Sequence, residues 1–243
     1  MFKTILPWLT AFITLLGWWL FFSQTKSLWW VLIVSILLIV WTARRIAGRL
    51  FWQYKLSWLN IIFIYLAQSL FLLLLKSNNL RFGLAFWLAL LWGFIWLFWQ
   101  QYFRKVHIAL LQADYLSFNK FWYYLNFWFL ASGIYALLAF INLPLLLAFF
   151  IILLAGFSFS LELLLRERVF SWRLLLLWSW LFLQITAAIS LLPISFYLAG
   201  ALLTLWYFFL DEAWLESGQK WHWHNSLLLV ANLLILIITF LYI

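Results

Sequence analysis

Nine long apolar stretches alternate with short polar clusters along the 243 residues of the chain. A helix needs about 20 consecutive apolar residues to cross the hydrocarbon core of a bilayer. Because each stretch is near that length, the pattern predicts an all-α protein, a polytopic transmembrane helix bundle with about nine spans. The stretches cover approximately residues 5–23, 28–43, 57–75, 82–99, 121–141, 145–165, 172–189, 192–210 and 225–243.

Two of these boundaries depend on a proline inside a longer apolar run. Pro144 follows Asn142 between the fifth and sixth stretches, and Pro193 lies between the seventh and eighth. Proline is tolerated in the first turn of a helix but interrupts a helix interior, so we expect a tight turn at each position. If one of these prolines only kinks a continuous helix, the number of spans is eight.

The composition excludes a water-soluble fold. Charged residues make up 9% of the chain and hydrophobic residues 69%, whereas a soluble domain is about a quarter charged and about half apolar. Cysteine is absent, which excludes disulfide scaffolds, thiolate metal sites and cysteine nucleophiles. We therefore expect a single integral membrane domain over residues 1–243, surrounded by the lipid bilayer.

The basic residues indicate an orientation for this domain. With nine spans, 12 of the 15 lysines and arginines fall on the side of the N-terminus, and Lys26, Lys76 and Arg81 fall on the other. Cytoplasmic loops carry the excess of Lys and Arg, so we predict a cytoplasmic N-terminus, an external C-terminus and a bacterial cytoplasmic membrane. Anionic lipid accounts for the net charge of +9, and we expect no nucleic-acid partner.

The densest polar cluster follows the eighth stretch, on the predicted cytoplasmic side. Two of its acids, Glu212 and Glu216, are four residues apart and share a helix face if the helix of the eighth stretch continues through them. Its two histidines form a His-x-His sequence that could chelate a divalent metal. The favoured alternative is an interfacial loop of solvated charges with tryptophan anchors. The cluster consists of Asp211, Glu212, Glu216, His222 and His224.

Ionisable residues are scarce between the predicted membrane interfaces, and this limits the chemistry within the bilayer. No Lys, Arg, His or Asp is predicted there, which excludes a retinal Schiff base and a bis-histidine haem. Glu162 is the one acid predicted within a span, and Arg166 at i+4 would neutralise it. We expect no cofactor, no metal and no catalytic residue in the spans.

The fourth stretch carries a candidate helix-contact face, formed by Ala85, Ala89 and Gly93, because small residues let helix backbones approach closely. Trp92 and Trp96, one turn apart on the same stretch, either line an apolar pocket or fill space by packing, which is the commoner role. Neutral polar residues in the spans are expected to link helices more often than to line a polar path. These are Asn60, Gln68, Ser69, Asn126, Ser132, Gln184, Thr186 and Asn232.

A family resemblance is carried by the sequence Leu-Leu-Gln-Ala-Asp-Tyr-Leu at residues 110–116. It resembles the short Ala-Asp-containing loop after the second span of Ecs-type permease subunits of ABC transporters. Residues 211–225 are similar to the later acidic-then-basic cytoplasmic segment of those subunits. The resemblance implies a permease driven by a separate ATPase. It also implies that the loop at 100–120, with Arg104, Lys105 and Asp114, is a candidate partner-docking segment.

The function predicted from these features is that of a permease or transport-type subunit. It would depend on another protein subunit at its cytoplasmic face, which the permease resemblance implies to be an ATPase. One alternative is a structural or assembly subunit of a larger membrane complex. A second alternative is a membrane enzyme that acts on lipid substrates at the cytoplasmic interface. The sequence leaves the oligomeric state open.

Overall fold

The computed structural model describes residues 2–23, 28–47, 55–104, 109–167 and 172–217. Eight α-helices make up almost all of this part of the chain, and it contains no strand. The all-α prediction is therefore confirmed. The helices are α1 (Phe2–Ser23), α2 (Leu28–Ala47), α3 (Lys55–Leu74), α4 (Asn78–Arg104), α5 (Ala109–Ile141), α6 (Leu145–Glu167), α7 (Trp172–Leu191) and α8 (Phe196–Ser217).

Each of the first eight predicted stretches corresponds to one of these helices. The ninth, at 225–243, lies outside the described residues, so the total of nine spans stays a prediction. Three described helical segments are long and apolar enough to cross a membrane: Ile5–Ser23, Asn78–Phe98 and Lys120–Ile141. The other five helices contribute shorter apolar segments. The described helices are thus compatible with a helical membrane protein by their length and composition.

Both predicted breaks at proline are confirmed. Between α5 and α6, Asn142 adopts the left-handed backbone conformation, with φ 53°, and the Leu143 N–H donates to the Leu137 carbonyl over 3.3 Å. Asparagine enters this conformation more readily than most residues because its short polar side chain bonds locally. The Pro144 carbonyl then accepts from the Ala148 N–H at 3.0 Å and opens α6.

The turn between α7 and α8 uses different contacts. After Pro193, the Ser195 carbonyl accepts from the Ala199 N–H at 2.9 Å, and Ser195 Oγ accepts from the Leu198 N–H at 3.4 Å. A serine in this position satisfies an amide that the first turn of a helix leaves without an intrahelical partner. Proline therefore ends one apolar helix and serine starts the next.

The prediction of a loop over the whole of residues 100–120 is wrong. Helix α4 continues to Arg104 and α5 begins at Ala109, so Asp114 lies within a helix. Residues 100–120 contain no glycine or proline, so the two strongest helix-breaking residues are missing from this segment. At about 1.5 Å per residue, helices of 27 and 33 residues exceed a hydrocarbon core of about 30 Å.

The described helices form two compact units, Met1–Asn119 and Lys120–Ile243. In the first unit, α1 packs against both α2 and α4, and α3 contacts α2 and α4. In the second unit, α7 packs against α6 and α8, and side chains of α5 contact all three. The expectation of a single domain over the whole chain stays a prediction.

The outer surface of the packed helices is apolar, and several polar side chains are buried among the apolar ones of the interior. On α4, Phe86 and Trp87 are exposed while Ala85 and Ala89 are buried. On α6, Leu146 is 84% exposed while Ser160 is fully buried. An apolar outer surface of this extent is unfavourable in water and suits contact with lipid. The fully or almost fully buried side chains accordingly include hydroxyl, amide and carboxyl groups.

Candidate functional site

A buried carboxyl group lies within the second unit. Asp211 belongs to α8 and is only 2% exposed. The Ser160 hydroxyl of α6 donates a hydrogen bond to Asp211 Oδ1 over 2.5 Å. A hydrogen bond to an ionised carboxylate is shorter and about twice as strong as one between neutral groups. This contact links α6 to α8 through the one carboxyl group among the buried side chains that the structure describes.

Tyr207 extends this contact along the interior. It precedes Asp211 by four residues, which places the two side chains on the same face of α8. Its Oη lies 3.0 Å from Ser160 Oγ, and its hydroxyl donates to the Gly156 carbonyl of α6 over 3.3 Å. The groups from Gly156 through Tyr207 and Ser160 to Asp211 thus form a continuous polar chain between two helices. We call these four residues the Asp211 chain.

Aromatic rings pack around the Asp211 chain. The Tyr207 ring stacks on Phe127 of α5 at 4.4 Å between centroids, and it meets Trp178 of α7 edge-on at 6.0 Å. Trp178 in turn stacks on Phe182 at 4.8 Å. Gly156 leaves room for these rings, because a Cβ atom there would lie 3.2 Å from Trp178 Cη2. Close packing of this kind excludes bulk water and strengthens electrostatic interactions inside.

The burial of Asp211 corrects the sequence prediction. The sequence placed it just past the end of the eighth span, among solvated interfacial charges. Helix α8 instead continues to Ser217 and carries Asp211 inward, against Ser160. The continued helix puts Glu212 and Glu216 one turn apart, as anticipated, although their side chains lie outside the described part.

The remaining members of the predicted polar cluster, His222 and His224, lie outside the described residues. The metal-chelating hypothesis for them therefore stays a prediction. Within the part of the chain that the structure describes, no group of three or more His, Asp or Glu side chains could hold a metal ion. Of the five residues in the predicted cluster, the structure therefore describes the side-chain surroundings of Asp211 alone.

The first unit contains a second buried polar group, made of neutral side chains on α3. Trp92 of α4 donates its indole N–H to Gln68 Oε1 at 2.7 Å, and Trp18 of α1 donates to Ser69 Oγ at 3.0 Å. The Ser69 hydroxyl donates to the Tyr65 carbonyl of its own helix. Gln68 and Ser69 therefore link α3 to α4 and α1, which is the interhelical role predicted for them.

Trp92 and Trp96 are each 1% exposed, and their rings stack at 6.4 Å between centroids. They therefore pack within the interior of the first unit. The candidate contact face of α4 is buried as well, at Ala85, Ala89 and Gly93. A Cβ atom on Gly93 would lie 3.0 Å from the Trp8 ring of α1, so this glycine permits close approach of α1 and α4.

The candidate docking residues are distributed over helix ends. Arg104 is the last residue of α4 and Asp114 is in the second turn of α5. Lys105 lies outside the described residues. The structure does not describe the side chains of Arg104 and Asp114, so a docking role for these residues stays a prediction.

Ser160 and Tyr207 were missed as site residues by reasoning from sequence. Tyr207 carries a usable signal, since it lies at i−4 from an acid at the end of an apolar helix. Ser160 has only its polarity within an apolar stretch, and Gly156 has none. The contact between Ser160 and Asp211 joins residues 51 positions apart in the chain, so only the packing of α6 on α8 reveals it.

Comparison with known proteins adds no relative. No protein-family model matches the chain, and no curated protein or solved structure matches it. The likeness of residues 110–116 and 211–225 to Ecs-type permease subunits stays a prediction. The functional argument therefore depends on the residues themselves.

Proposed function

We propose that the protein is a multi-pass membrane protein of the transport type. The observation that supports this proposal is the buried carboxyl group of Asp211, in the last part of an apolar helix. Ionisable groups are costly inside a membrane protein, and those that occur commonly mark paths for ions, protons or substrates. A group that only joined two helices would need no charge, as Gln68 and Ser69 of the first unit illustrate.

The proposed arrangement has nine spans, with the N-terminus in the cytoplasm of a bacterium. It follows from the 12 to 3 distribution of basic residues, which is unchanged by the helix boundaries described above. In this arrangement α8 ends at the cytoplasmic face. Asp211 then lies about two turns from that end, within reach of protons or ions from the cytoplasm.

We propose that a second protein subunit, an ATPase by the permease resemblance, binds at the cytoplasmic face. Helices α4 and α5 are longer than a bilayer needs, and their adjoining ends carry Arg104 and Asp114. Rigid helix ends that project beyond the lipid suit a partner better than a flexible loop would, since less chain entropy is lost on binding.

Affinity purification of the full chain from its own membrane in a mild detergent tests the partner. We expect a soluble ATPase to copurify, and we expect the double variant Arg104→Glu with Lys105→Glu to reduce its recovery at least tenfold. The matched control is Lys76→Glu, a charge reversal on the opposite predicted face, which should leave recovery unchanged. Two results together would contradict the transport-subunit proposal. These are recovery of the chain without any partner, and no transport of any solute by vesicles that contain the purified chain.

The orientation can be tested without removing native thiols, because the chain contains no cysteine. A Ser77→Cys variant, in the exposed turn between α3 and α4, should react with a membrane-impermeant maleimide in intact cells. An Ala47→Cys variant, at the end of α2, should react only after lysis. The reverse labelling pattern would overturn the proposed orientation.

A structural or assembly subunit remains the second candidate, and one observation favours it. Large aromatic side chains project from the outer surface, including Trp30 at 72% exposed, Trp87 at 65% and Trp180 at 62%. Aromatic side chains contribute much of the binding energy at protein interfaces. Copurification with several membrane proteins, and no soluble ATPase, would support this candidate over a transport subunit.

A further inference from the structure

The Asp211 chain has three oxygen–oxygen contacts but only two hydroxyl protons. Ser160 and Tyr207 each carry one hydroxyl proton and can each donate one hydrogen bond at a time. Within reach of these two donors are Asp211 Oδ1, at 2.5 Å from Ser160, and the Gly156 carbonyl, at 3.3 Å from Tyr207. The two hydroxyl oxygens are 3.0 Å apart and can bond in either direction. One of the three contacts therefore has no proton, and the Asp211 chain has room for one additional proton.

Two arrangements of the protons on Asp211, Ser160 and Tyr207 fit the same positions of the heavy atoms. With Asp211 ionised, Tyr207 donates to Ser160 and Ser160 donates to the carboxylate. With a proton on Asp211, its new O–H donates to Ser160, Ser160 donates to Tyr207, and Tyr207 donates to the Gly156 carbonyl. The two arrangements differ by one proton on the carboxyl group and by rotation of two hydroxyls. Neither leaves a hydroxyl proton of Ser160 or Tyr207 without an acceptor, which would be costly in a buried site.

The packing around the Asp211 chain indicates which kind of ligand could bind there. The stacked rings of Phe127 and Tyr207, at 4.4 Å, and of Trp178 and Phe182, at 4.8 Å, are already in contact. A metal ion or an organic cation would have to separate them, whereas a proton needs no space. We infer that Asp211, Ser160 and Tyr207 form a proton-binding site. The use of that proton in transport rests on the proposed function, but its binding does not.

Other titratable groups lie on the helices packed around the site. Tyr124 of α5 contacts the Tyr207 ring edge-on at 5.5 Å, and Lys120 lies one turn earlier on the same helix. An experiment must therefore separate Asp211 from these groups. Further titratable positions on the neighbouring helices are Glu162 and Arg166 on α6, Arg173 on α7, and Glu212 on α8.

Infrared difference spectroscopy of the full chain in lipid nanodiscs tests the site by titration. Lowering the pH should produce the C=O stretching band of a protonated carboxylic acid, and Asp211→Asn should abolish the component that belongs to a buried group. The chain contains one other aspartate, Asp114, so Asp114→Asn is a matched control that should retain this component. Persistence of the buried-acid band in a helical Asp211→Asn protein would overturn the inference.

A second variant keeps the test decisive if Asp211→Asn does not fold. Ser160→Ala removes one hydrogen-bond partner of the Asp211 carboxyl, so its C=O band should move to higher frequency while still titrating. An Asp211 C=O band at the same frequency in the Ser160→Ala protein would overturn the proposed hydrogen bonds of the Asp211 chain. Vesicles that hold the protein, the ATPase that copurifies with it, ATP and a pH-sensitive dye separate the two proposals. A titrating Asp211 band without proton movement across the vesicle membrane would support the site and contradict transport.

Discussion

The two compact units of this protein bury polar side chains in different ways. In the first unit, Gln68 and Ser69 accept hydrogen bonds from the indoles of Trp92 and Trp18, and every group in these pairs is neutral. In the second unit, the buried group is the carboxyl of Asp211, which receives the Ser160 hydroxyl. Both kinds of contact join neighbouring helices, but only the second can change its charge.

This difference indicates which polar contacts in an apolar protein are functional candidates. An indole can only donate, and the amide oxygen of Gln68 can only accept, so that hydrogen bond has one direction. Such a bond contributes to the specificity of helix packing. A carboxyl group beside two hydroxyls has alternative proton positions, and those hydroxyls offset part of the cost of burying its charge. The proposed function therefore involves the second unit, whereas the polar contacts Gln68–Trp92 and Ser69–Trp18 of the first unit link helices.

The largest expected effect comes from adding a methyl group where helices are closest. A Cβ atom on Gly200 of α8 would lie 2.7 Å from the Ser132 backbone nitrogen of α5, and a backbone atom cannot move aside. Gly200→Ala should therefore lower the free energy of unfolding by about 3 kcal/mol. In the first unit, a Cβ on Gly17 meets the Ser35 hydroxyl first, which can rotate, so Gly17→Ala should cost about 1 kcal/mol. Thermal unfolding in detergent, followed by circular dichroism, measures both. Equal losses would contradict the distinction.

Removal of one hydroxyl from each buried polar group gives the next effect. Ser160→Ala deprives the Asp211 carboxyl of a hydrogen bond and should destabilise the protein by about 2 kcal/mol, since bonds to charged groups are the stronger ones. Ser69→Ala removes a neutral acceptor from Trp18 and should cost about 1 kcal/mol. The same unfolding measurement compares them. A larger loss for Ser69→Ala would argue against a charged or chargeable site in the second unit.

A smaller effect is expected from the amide of the first unit. Gln68→Leu removes the oxygen that accepts from the Trp92 indole N–H at 2.7 Å, and we expect the free energy of unfolding to fall by about 1 kcal/mol. A double-mutant cycle with Trp92→Phe isolates the contact from the change in side-chain volume. A coupling energy near zero would show that this hydrogen bond does not contribute to packing of α3 on α4.

The smallest effect has the opposite sign and serves as a control for the glycine variants. Gly83 lies within α4, and a Cβ atom there would meet nothing within 4 Å. Gly83→Ala should raise the free energy of unfolding by about 0.5 to 1 kcal/mol, because alanine favours the helix over glycine. Destabilisation by Gly83→Ala would mean that the effects at Gly17 and Gly200 do not report steric contact.

The sequence predicted the helices better than it predicted their contacts. Pro144 and Pro193 act through local backbone geometry, so the breaks beside them were visible in the sequence. The extension of α4 and α5 into residues 100–120 was missed because the end of an apolar stretch marks the expected edge of the lipid and not the end of the helix. Asp211 was misplaced for the same reason. Its burial depends on Ser160, which lies 51 residues earlier, and no local pattern encodes that distance.

The three-residue turn at 142–144 has a consequence for biosynthesis. Helices α5 and α6 are joined by this turn, and side chains far from it still meet, with Tyr123 stacked on Phe159 at 4.9 Å. So short a connection leaves too little chain for one helix to enter the membrane while the other stays in water. We expect the two helices to leave the translocon together, as a helical hairpin. In this region, we therefore expect α5 and α6 to insert into the membrane as a pair and not one after the other.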